Sequence, residues 1–202
     1  HKSDALRNLI EDLNDRKYRI INHKLIESSL TVLKNKGSIL PIKKLNQKMI
    51  VVSFSDREVV YRPFQKFLNR YGRVDTLHYS SFSVKDQKQL MDTLLKYDQV
   101  ILAIHKSNKS PWVNSKIDNE IKNFTNILRI KKKVILTVFA NAYSLNGYTA
   151  ADYVDGLVLA YQNSIEAQDY TSQLIFGGIL AKGKIPVTVS PQMESGLGLD
   201  IE

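Results

Sequence analysis

Four short runs of mostly apolar residues constrain the fold of this chain more strongly than any other feature of its sequence. They are rich in Val, Ile and Leu, and they do not alternate strictly between apolar and polar positions. This pattern is typical of strands covered on both faces, as in a parallel sheet enclosed by layers of helices. The runs are Met49–Phe54, Gln99–Ile104, Val134–Ala140 and Gly156–Tyr161.

The stretches between these runs have helical periodicity. A weaker strand is predicted at Arg73–His78, and a final one at Ile185–Val189. Strands and helices that alternate in this way predict an α/β fold, a three-layer α/β/α sandwich around an open, mostly parallel sheet. The predicted helices are residues 4–13, 23–35, 57–71, 84–96, 111–130 and 164–176.

Residues at several helix ends support these predictions. In the helix predicted at 23–35, apolar residues recur at helical spacing and Gly37 suits a C-terminal stop. Ser110 can cap the helix predicted at 111–130, with Pro111 at its first position. Asn163 lies three residues before Glu166, which resembles a capping box for the last helix.

The chain has 202 residues, which suits a single domain. We expect residues 1–45 to form an entry arm of helices packed on the domain, and residues 46–202 to form the α/β domain itself. Within the arm, Ile39–Ile42 is predicted to be extended, because Pro41 lacks an N–H donor and restricts the residue before it.

The net charge of +9 is distributed unevenly along the chain. Residues 1–133 carry 27 Lys and Arg against 13 Asp and Glu, whereas residues 134–202 carry 2 against 7. The basic residues are scattered, and no RNP-like, zinc-finger or helix-turn-helix pattern accompanies them. A solvated basic surface is therefore the favoured interpretation, and no nucleic-acid partner is expected. The sequence also lacks an apolar run long enough to span a membrane.

Several common classes of site are absent from the sequence. Zero cysteines exclude disulfides and thiolate metal sites, and the four histidines show no metal-binding spacing. The turn after the first long strand, SFSDREVVYR, has no glycine, which argues against a dinucleotide site. The segment Gly178–Lys184 imitates a phosphate loop, but it is followed by Ile185 and lies between a helix and a strand in the wrong order. No cofactor and no metal are expected.

Polar residues follow the predicted strands. In open parallel sheets, ligands usually bind beyond the carboxyl ends of the strands. These ends read Ser53–Asp56, His105–Ser107, Asn141–Tyr143 and Tyr161–Asn163. They are available to contact a ligand or a neighbouring domain, although polar strand ends are also ordinary loop residues.

Two segments resemble glycoside hydrolase family 3. Residues 29–42, SLTVLKNKGSILPI, resemble the entry helix and "LLKN…LPL" segment that opens the second domain of that family. Residues 174–190, LIFGGILAKGKIPVTVS, resemble the "LFG…P-x-G-K-L-P-V-T" ending of that domain. The chain departs from the family in having Asn141-Ala142-Tyr143 where the family has Asn-Pro-Tyr, and Leu180-Ala181 where it has Pro before the turn.

The resemblance is greatest to the β-N-acetylglucosaminidase branch, particularly its bacterial forms. It implies an α/β sandwich that follows a (β/α)₈ barrel in the same chain, with a β-lactamase-like domain after it in the long forms. The family's Asp nucleophile and, in this branch, its histidine acid/base dyad lie on the barrel, so no catalytic residue is carried over. The resemblance also implies a periplasmic or extracytoplasmic parent enzyme.

The resulting expectation is a non-catalytic domain that supports or caps the barrel active site of an enzyme hydrolysing terminal β-N-acetylglucosaminides. The candidate residues facing the substrate or the barrel are Ser55, His105, Lys106, Asn141 and Tyr143. Two alternatives stay open: a stand-alone α/β module that binds a small ligand, and a basic nucleic-acid-binding protein.

Overall fold

The computed structural model describes residues 15–55, 62–106 and 119–201. Six strands and five α-helices lie within these ranges, together with three short 3-10 helices. The strands are β1 (Thr31–Asn35), β2 (Met49–Ser55), β3 (Val74–Tyr79), β4 (Gln99–His105), β5 (Val134–Phe139) and β6 (Gly156–Leu159). The α-helices are α1 (Arg16–Ser29), α2 (Arg62–Leu68), α3 (Val84–Leu94), α4 (Asn119–Lys131) and α5 (Ile165–Ile175).

All six strands form one sheet in the order β1-β6-β5-β4-β2-β3. Strands β2 to β6 run parallel to one another, and β1 pairs antiparallel with β6. The expected α/β fold with a mostly parallel sheet is therefore confirmed. Because the chain leaves β2 towards β3 and leaves β4 towards β5, the strand order reverses between β2 and β4.

The two faces of the sheet are covered by different helices. On one face, α3 and α4 contribute residues such as Leu94 and Phe124 to a core with Val52 and Leu102. On the other face, α1, α2 and α5 pack on residues such as Ile101. Both faces are buried, which explains why the strand sequences are continuously apolar.

The four apolar runs and the weaker strand at 73–78 are all strands of the sheet, which confirms those predictions. The predicted helices at 84–96 and 164–176 correspond to α3 and α5. The described parts of those at 57–71 and 111–130 contain α2 and α4. The helix predicted at 4–13, and the proposed start of another at Ser110 and Pro111, lie outside the described residues.

The helix predicted at 23–35 was wrong in its second half. Helix α1 ends at Ser29 and the chain continues as strand β1. Val32 packs in the core beneath α1 and α5, while Leu33 packs in the core on the opposite face. This alternation is that of a strand, and the helical spacing of Leu30 and Leu33 arose from residues that belong to different elements.

The final strand predicted at Ile185–Val189 is also wrong. Pro186 has no N–H, and the backbone N–H of Ile185 donates to the carbonyl of Leu197 (2.8 Å). The position beside β6 is occupied by β1 instead. The outer side of β1 is met by Leu199, whose N–H donates to the carbonyl of Val32 (2.8 Å) in a single antiparallel bridge.

Gly183 holds this C-terminal region close to the start of β1. A Cβ at this position would lie 2.5 Å from the carbonyl oxygen of Leu30 and 2.6 Å from that of Ser29. The neighbouring Lys184 ammonium pairs with the Asp200 carboxylate at 2.7 Å. The segment that imitates a phosphate loop is thus a packed turn following a helix, without the strand–loop–helix order that phosphate binding uses.

Candidate functional site

The carboxyl ends of β2, β3 and β4 bring together two of the predicted site residues, Ser55 and His105. Ser55 is the last residue of β2 and lies opposite His105, the last residue of β4, in the parallel register. Ser55 Oγ shares a hydrogen bond of 2.6 Å with Nε2 of His78, which β3 contributes. His78 lies beside Ser53 in the register, and Ser53 and Ser55, two residues apart on β2, point to the same face. Ser55, His78 and His105 therefore share the face covered by α2 and α5.

His105 is fully buried among aromatic rings. Its imidazole stacks on Phe139, with ring centroids 4.6 Å apart and planes 12° apart, and it meets the edge of Phe64 at 6.0 Å. Burial lowers the pKa of His105 to about 4; the hydrogen bond that the imidazole donates to Asn163 opposes this shift, and the nearby charge of His78 adds to it. The imidazole is consequently neutral near pH 7.

A directed set of hydrogen bonds fixes the tautomer of His105. Its Nδ1 lies 2.8 Å from Oδ1 of Asn163, and Nε2 of Gln168 donates to the same oxygen at 3.0 Å. An amide oxygen only accepts, so Nδ1 of His105 carries the proton. The Gln168 side chain is itself held, because its Oε1 accepts from the backbone N–H of Phe64 (2.9 Å). Nε2 of His105 therefore carries a lone pair, and it has no hydrogen-bond partner among the described residues.

Asn163 has a different role from the one predicted. The cap of α5 is Ser164, whose hydroxyl accepts from the backbone N–H of Ala167 (3.1 Å). Just before it, Tyr161 adopts a left-handed backbone conformation with φ of 61°, which turns the chain after β6. After this turn, the Asn163 side chain bonds to His105, and Ser164 caps the helix.

Of the other three predicted site residues, Lys106 lines the same small cavity as Ser55, whereas Asn141 and Tyr143 lie in the turn after β5. Lys106 is 5% exposed, and its backbone N–H donates to the carbonyl of Phe139 (3.1 Å). Asn141 begins a 3-10 turn and accepts the N–H of Ser144 through its backbone carbonyl (3.1 Å). Tyr143, in that turn, is 57% exposed. Exposure thus separates Tyr143 from the buried Ser55, His105 and Lys106.

Sequence reasoning missed His78 and Gln168, and it assigned Asn163 to the wrong contact. Asn163 was visible as a polar strand end, but a helix cap is the commoner role for such a residue. His78 lies in the weaker strand, and nothing in the sequence shows that β3 sits beside β2. Asp56 and Ser107, which belong to the same predicted strand ends, lie outside the described residues.

We call the following side chains the carboxyl-end cluster: Ser55, His78, His105, Asn163 and Gln168. The chemistry available to them is hydrogen bonding. Ser55 and His78 are within the distance of a nucleophile and its base. Ser55 is only 8% exposed, however, and the cavity beside it measures about 20 Å³, room for about one water molecule. The cluster offers hydroxyl, imidazole and amide groups and no carboxylate. In the described part of the chain, no group of three or more His, Asp or Glu side chains is placed to hold a metal ion.

The fold is shared with solved glycosidases, although no family model and no curated protein matches the sequence. A glycoside hydrolase family 3 β-N-acetylglucosaminidase from Paenibacillus sp. str. FPU-7 matches with a TM-score of 0.68 at 15% identity, over 88% of this chain and 34% of that one. A β-glucosidase from Listeria innocua, solved with isofagomine, matches with a TM-score of 0.69 at 18% identity, over 92% of this chain and 28% of that one.

A family 3 β-glucosidase from Bifidobacterium adolescentis gives a TM-score of 0.63 at 15% identity, over 85% of this chain and 29% of that one. This chain therefore spans about a third of the length of the enzymes it matches. Likeness at such low identity shows a common fold. Across the described ranges, no helix is both long and apolar enough to cross a membrane.

Proposed function

We propose that this chain is the second, non-catalytic domain of a glycoside hydrolase family 3 enzyme, a β-N-acetylglucosaminidase that removes terminal β-N-acetylglucosamine. The observation that carries the proposal is the match of nearly the whole chain to about a third of such an enzyme. In this proposal, a (β/α)₈ barrel precedes the domain in the same polypeptide and binds the carbohydrate. A β-lactamase-like domain follows it in the longest forms.

The positions of the two family-like segments support the proposal. They are separated by more than a hundred residues in the chain, yet they pack against each other. The N–H of Ile42 donates to the carbonyl of Ile175 (2.7 Å), and Gly177, with φ of 79°, lies against Pro41. Gly183 in the second segment also approaches Leu30 in the first. The resembling motifs thus meet as one structural unit.

The chemistry of the carboxyl-end cluster is consistent with catalysis elsewhere. Glycoside hydrolysis commonly uses a pair of carboxyl groups, or in this branch a nucleophilic Asp with a histidine. His105 is neutral, fully buried and held by Asn163, so it is poorly placed to exchange protons with a substrate. Its role in the proposal is to hold the carboxyl ends of the strands in place.

Tyr143 is the predicted site residue best placed to contact the barrel, because more than half of its side chain is exposed. The adjacent Asn141 fixes the 3-10 turn that carries Tyr143. Ser55, His105 and Lys106 would act behind this surface, as support for the residues that make contact.

Activity measurements test the proposal directly. The chain of 202 residues is compared with a longer protein that includes the preceding coding region, using 4-nitrophenyl N-acetyl-β-D-glucosaminide as the substrate. We expect no turnover by the chain alone and clear turnover by the longer protein. Turnover by residues 1–202 would contradict a non-catalytic role. A longer protein that folds but cleaves neither this substrate nor the corresponding β-glucoside would contradict the assignment to a glycosidase.

A further inference from the structure

Two dipeptides in this chain place a glycine directly after Asn or Asp, and the structure surrounds them differently. Asn146-Gly147 follows the 3-10 helix at Ala142–Leu145, and Asp155-Gly156 leads into β6. Such dipeptides are chemically labile, because glycine has no side chain to hinder attack of its backbone nitrogen on the preceding side chain. In a folded protein, the freedom of the local backbone decides whether that attack occurs.

The backbone around Asp155-Gly156 is fixed on several sides. The N–H of Asp155 donates to the carbonyl of Val134 (3.1 Å), and Oδ2 of Asp155 accepts from the N–H of Val134 (3.0 Å). The carbonyl of Asp155 accepts from the N–H of Lys36 (2.7 Å). Gly156 is buried in β6 between β1 and β5, and a Cβ there would lie 3.2 Å from the side chain of Ile135. This dipeptide therefore has no room to rearrange in the folded chain.

Asn146-Gly147, in contrast, forms the centre of an exposed turn. Asn146 has φ of −61° and ψ of 125°, and Gly147 has φ of 69°, so Leu145 to Tyr148 form a type II turn. The N–H of Tyr148 donates to the carbonyl of Leu145 (2.9 Å) and closes this turn. Both central residues are exposed, and a Cβ at Gly147 would meet nothing within 4 Å beyond its chain neighbours.

The two groups that would react are free to move. Neither the side chain of Asn146 nor the backbone N–H of Gly147 forms a hydrogen bond to any described residue. Rotation of the peptide unit between them brings the nitrogen of Gly147 towards Cγ of Asn146. Type I and type II turns differ by a rotation of this unit and can close with the same hydrogen bond, and glycine accepts both signs of φ. The rotation therefore costs little of the surrounding structure.

We propose that the fold leaves Asn146 as a site of uncatalysed deamidation. The backbone nitrogen of Gly147 loses its proton to solvent and forms a bond to Cγ of Asn146. The bond from Cγ to Nδ2 then breaks, and Nδ2 leaves as ammonia after taking a proton from solvent. Water opens the resulting succinimide at either ring C–N bond, which gives aspartate or isoaspartate. The net reaction consumes water and releases ammonia, and it does not depend on the proposed glycosidase function.

The reaction would change the surface beside Tyr143. The N–H of Asn146 donates to the carbonyl of Tyr143 (3.0 Å), so both residues belong to one compact segment after β5. Each product carries a carboxylate where Asn146 has a neutral amide, and isoaspartate also lengthens the backbone by a methylene group. The fraction of altered chains should rise with the age of the protein.

Peptide mapping by mass spectrometry tests the proposal on the unmodified chain, incubated at mildly alkaline pH in water enriched in heavy oxygen. Asn163 is the internal control, because it precedes Ser164 and its side chain is held by His105 and Gln168. We expect Asn146 to take up heavy oxygen at least about tenfold faster than Asn163. Its rate in the folded chain should lie within about tenfold of its rate in guanidinium chloride. An isoaspartate-specific methyltransferase should label the product.

Two variants separate the dipeptide from its surroundings. Gly147→Asn keeps a residue that tolerates positive φ and adds a Cβ beside the attacking nitrogen, so it should slow conversion of Asn146 at least about tenfold. Ser164→Gly is the matched control, because it gives Asn163 the same neighbour that Asn146 has, and glycine is tolerated as a helix cap. In this variant Asn163 should still convert at least about tenfold more slowly than Asn146, since its hydrogen bonds hold it.

Two results would overturn the proposal. One is an Asn146 that converts in guanidinium chloride but not in the folded chain. The other is an Asn163 that converts as fast as Asn146 in folded Ser164→Gly, which would show that the dipeptide alone decides. The first measurement uses the unmodified protein, so it stands even if a variant folds poorly.

Discussion

The two ends of the sheet use their polar residues differently. At the carboxyl end, hydrogen bonds join Nδ1 of His105 to Asn163 and Gln168, Nε2 of His105 has no partner among the described residues, and the cavity beside Ser55 measures about 20 Å³. At the amino end, Oδ1 of Asp152 is likewise buried without a described partner, and the residue lines a cavity of about 320 Å³. The comparison teaches that a buried polar atom without a partner does not by itself mark a ligand site, because such an atom occurs at both ends although the cavities differ greatly in volume.

The largest expected difference between the two ends is in stability. His105→Ala removes a fully buried ring that stacks on Phe139 and leaves the acceptor of Asn163 short of a donor. We expect it to lower the free energy of unfolding by about 4 kcal/mol. Asp152→Ala removes an acceptor that has no described partner, and it should cost less than about 1 kcal/mol.

Urea denaturation followed by circular dichroism measures both values. Equal losses in the two variants would show that the amino end is as tightly coupled to the core as the carboxyl end. That result would contradict the expected difference in stability between the two ends.

The two ends should also respond to pH in opposite directions. The pKa of His105 is about 4 in the folded chain and close to 6.5 when unfolded, so between these values the unfolded chain binds more protons. Stability from His105 is complete above pH 6.5 and is lost as the pH falls towards 4, by up to about 3 kcal/mol. The pKa of Asp152 is raised by folding, so its protonation at low pH favours the folded chain.

Unfolding free energies between pH 4 and 7 test this prediction. His105→Gln should flatten the pH dependence, whereas Asp152→Asn should leave the fall towards pH 4 in place or steepen it. An unchanged slope in His105→Gln would mean that another group titrates in this range.

A smaller effect distinguishes the two neighbouring residues Asn163 and Ser164. Asn163→Ala should cost about 2 kcal/mol, because it leaves the Nδ1–H of His105 without its acceptor. The lost hydrogen bond should also move the pKa of His105 further down, since that bond raises it. Ser164→Ala removes only the cap of α5 and should cost about 1 kcal/mol.

The NMR titration of His105 in each variant provides the decisive comparison, with Ser164→Ala as the control. Equal changes in the pKa of His105 in Asn163→Ala and Ser164→Ala would contradict the assignment of Asn163 as the partner of His105 and of Ser164 as the cap of α5.

The smallest effect is expected at Tyr143. Because its side chain is 57% exposed, Tyr143→Ala should change the unfolding free energy of this chain by no more than about 0.5 kcal/mol. Thermal unfolding of the chain measures this. A loss of several kcal/mol would show that Tyr143 packs within the domain, and would remove it as a candidate barrel contact.

The central strands could be predicted from the sequence, because a strand buried on both faces is a short run of apolar residues. Other elements do not give apolar runs that are so short. It was insufficient at β1, where only five residues form the strand and a single residue, Leu30, separates them from the preceding helix. The strand predicted at Ile185–Val189 failed for the converse reason, since apolar residues there pack on the core without joining the sheet.

The site was predictable only in part. His105 was found because it ends a continuous strand, but its partners come from β6–α5 and β3, whose positions depend on the order of strands in the sheet. The buried Oδ1 of Asp152 at the other end of the sheet was not predicted either. Its environment arises because β1 runs antiparallel and brings Lys34 to the start of β6, and no local sequence pattern encodes that direction.

The bridge between Leu199 and Val32 has a consequence for solubility. An edge strand with free N–H and carbonyl groups can pair with the edge of another molecule and begin aggregation. Leu199 occupies part of that edge on β1. At the opposite edge, β3 carries the exposed Asp75 and Thr76, which discourage the same pairing. The C-terminal residues therefore help to keep separate copies of this sheet from pairing edge to edge.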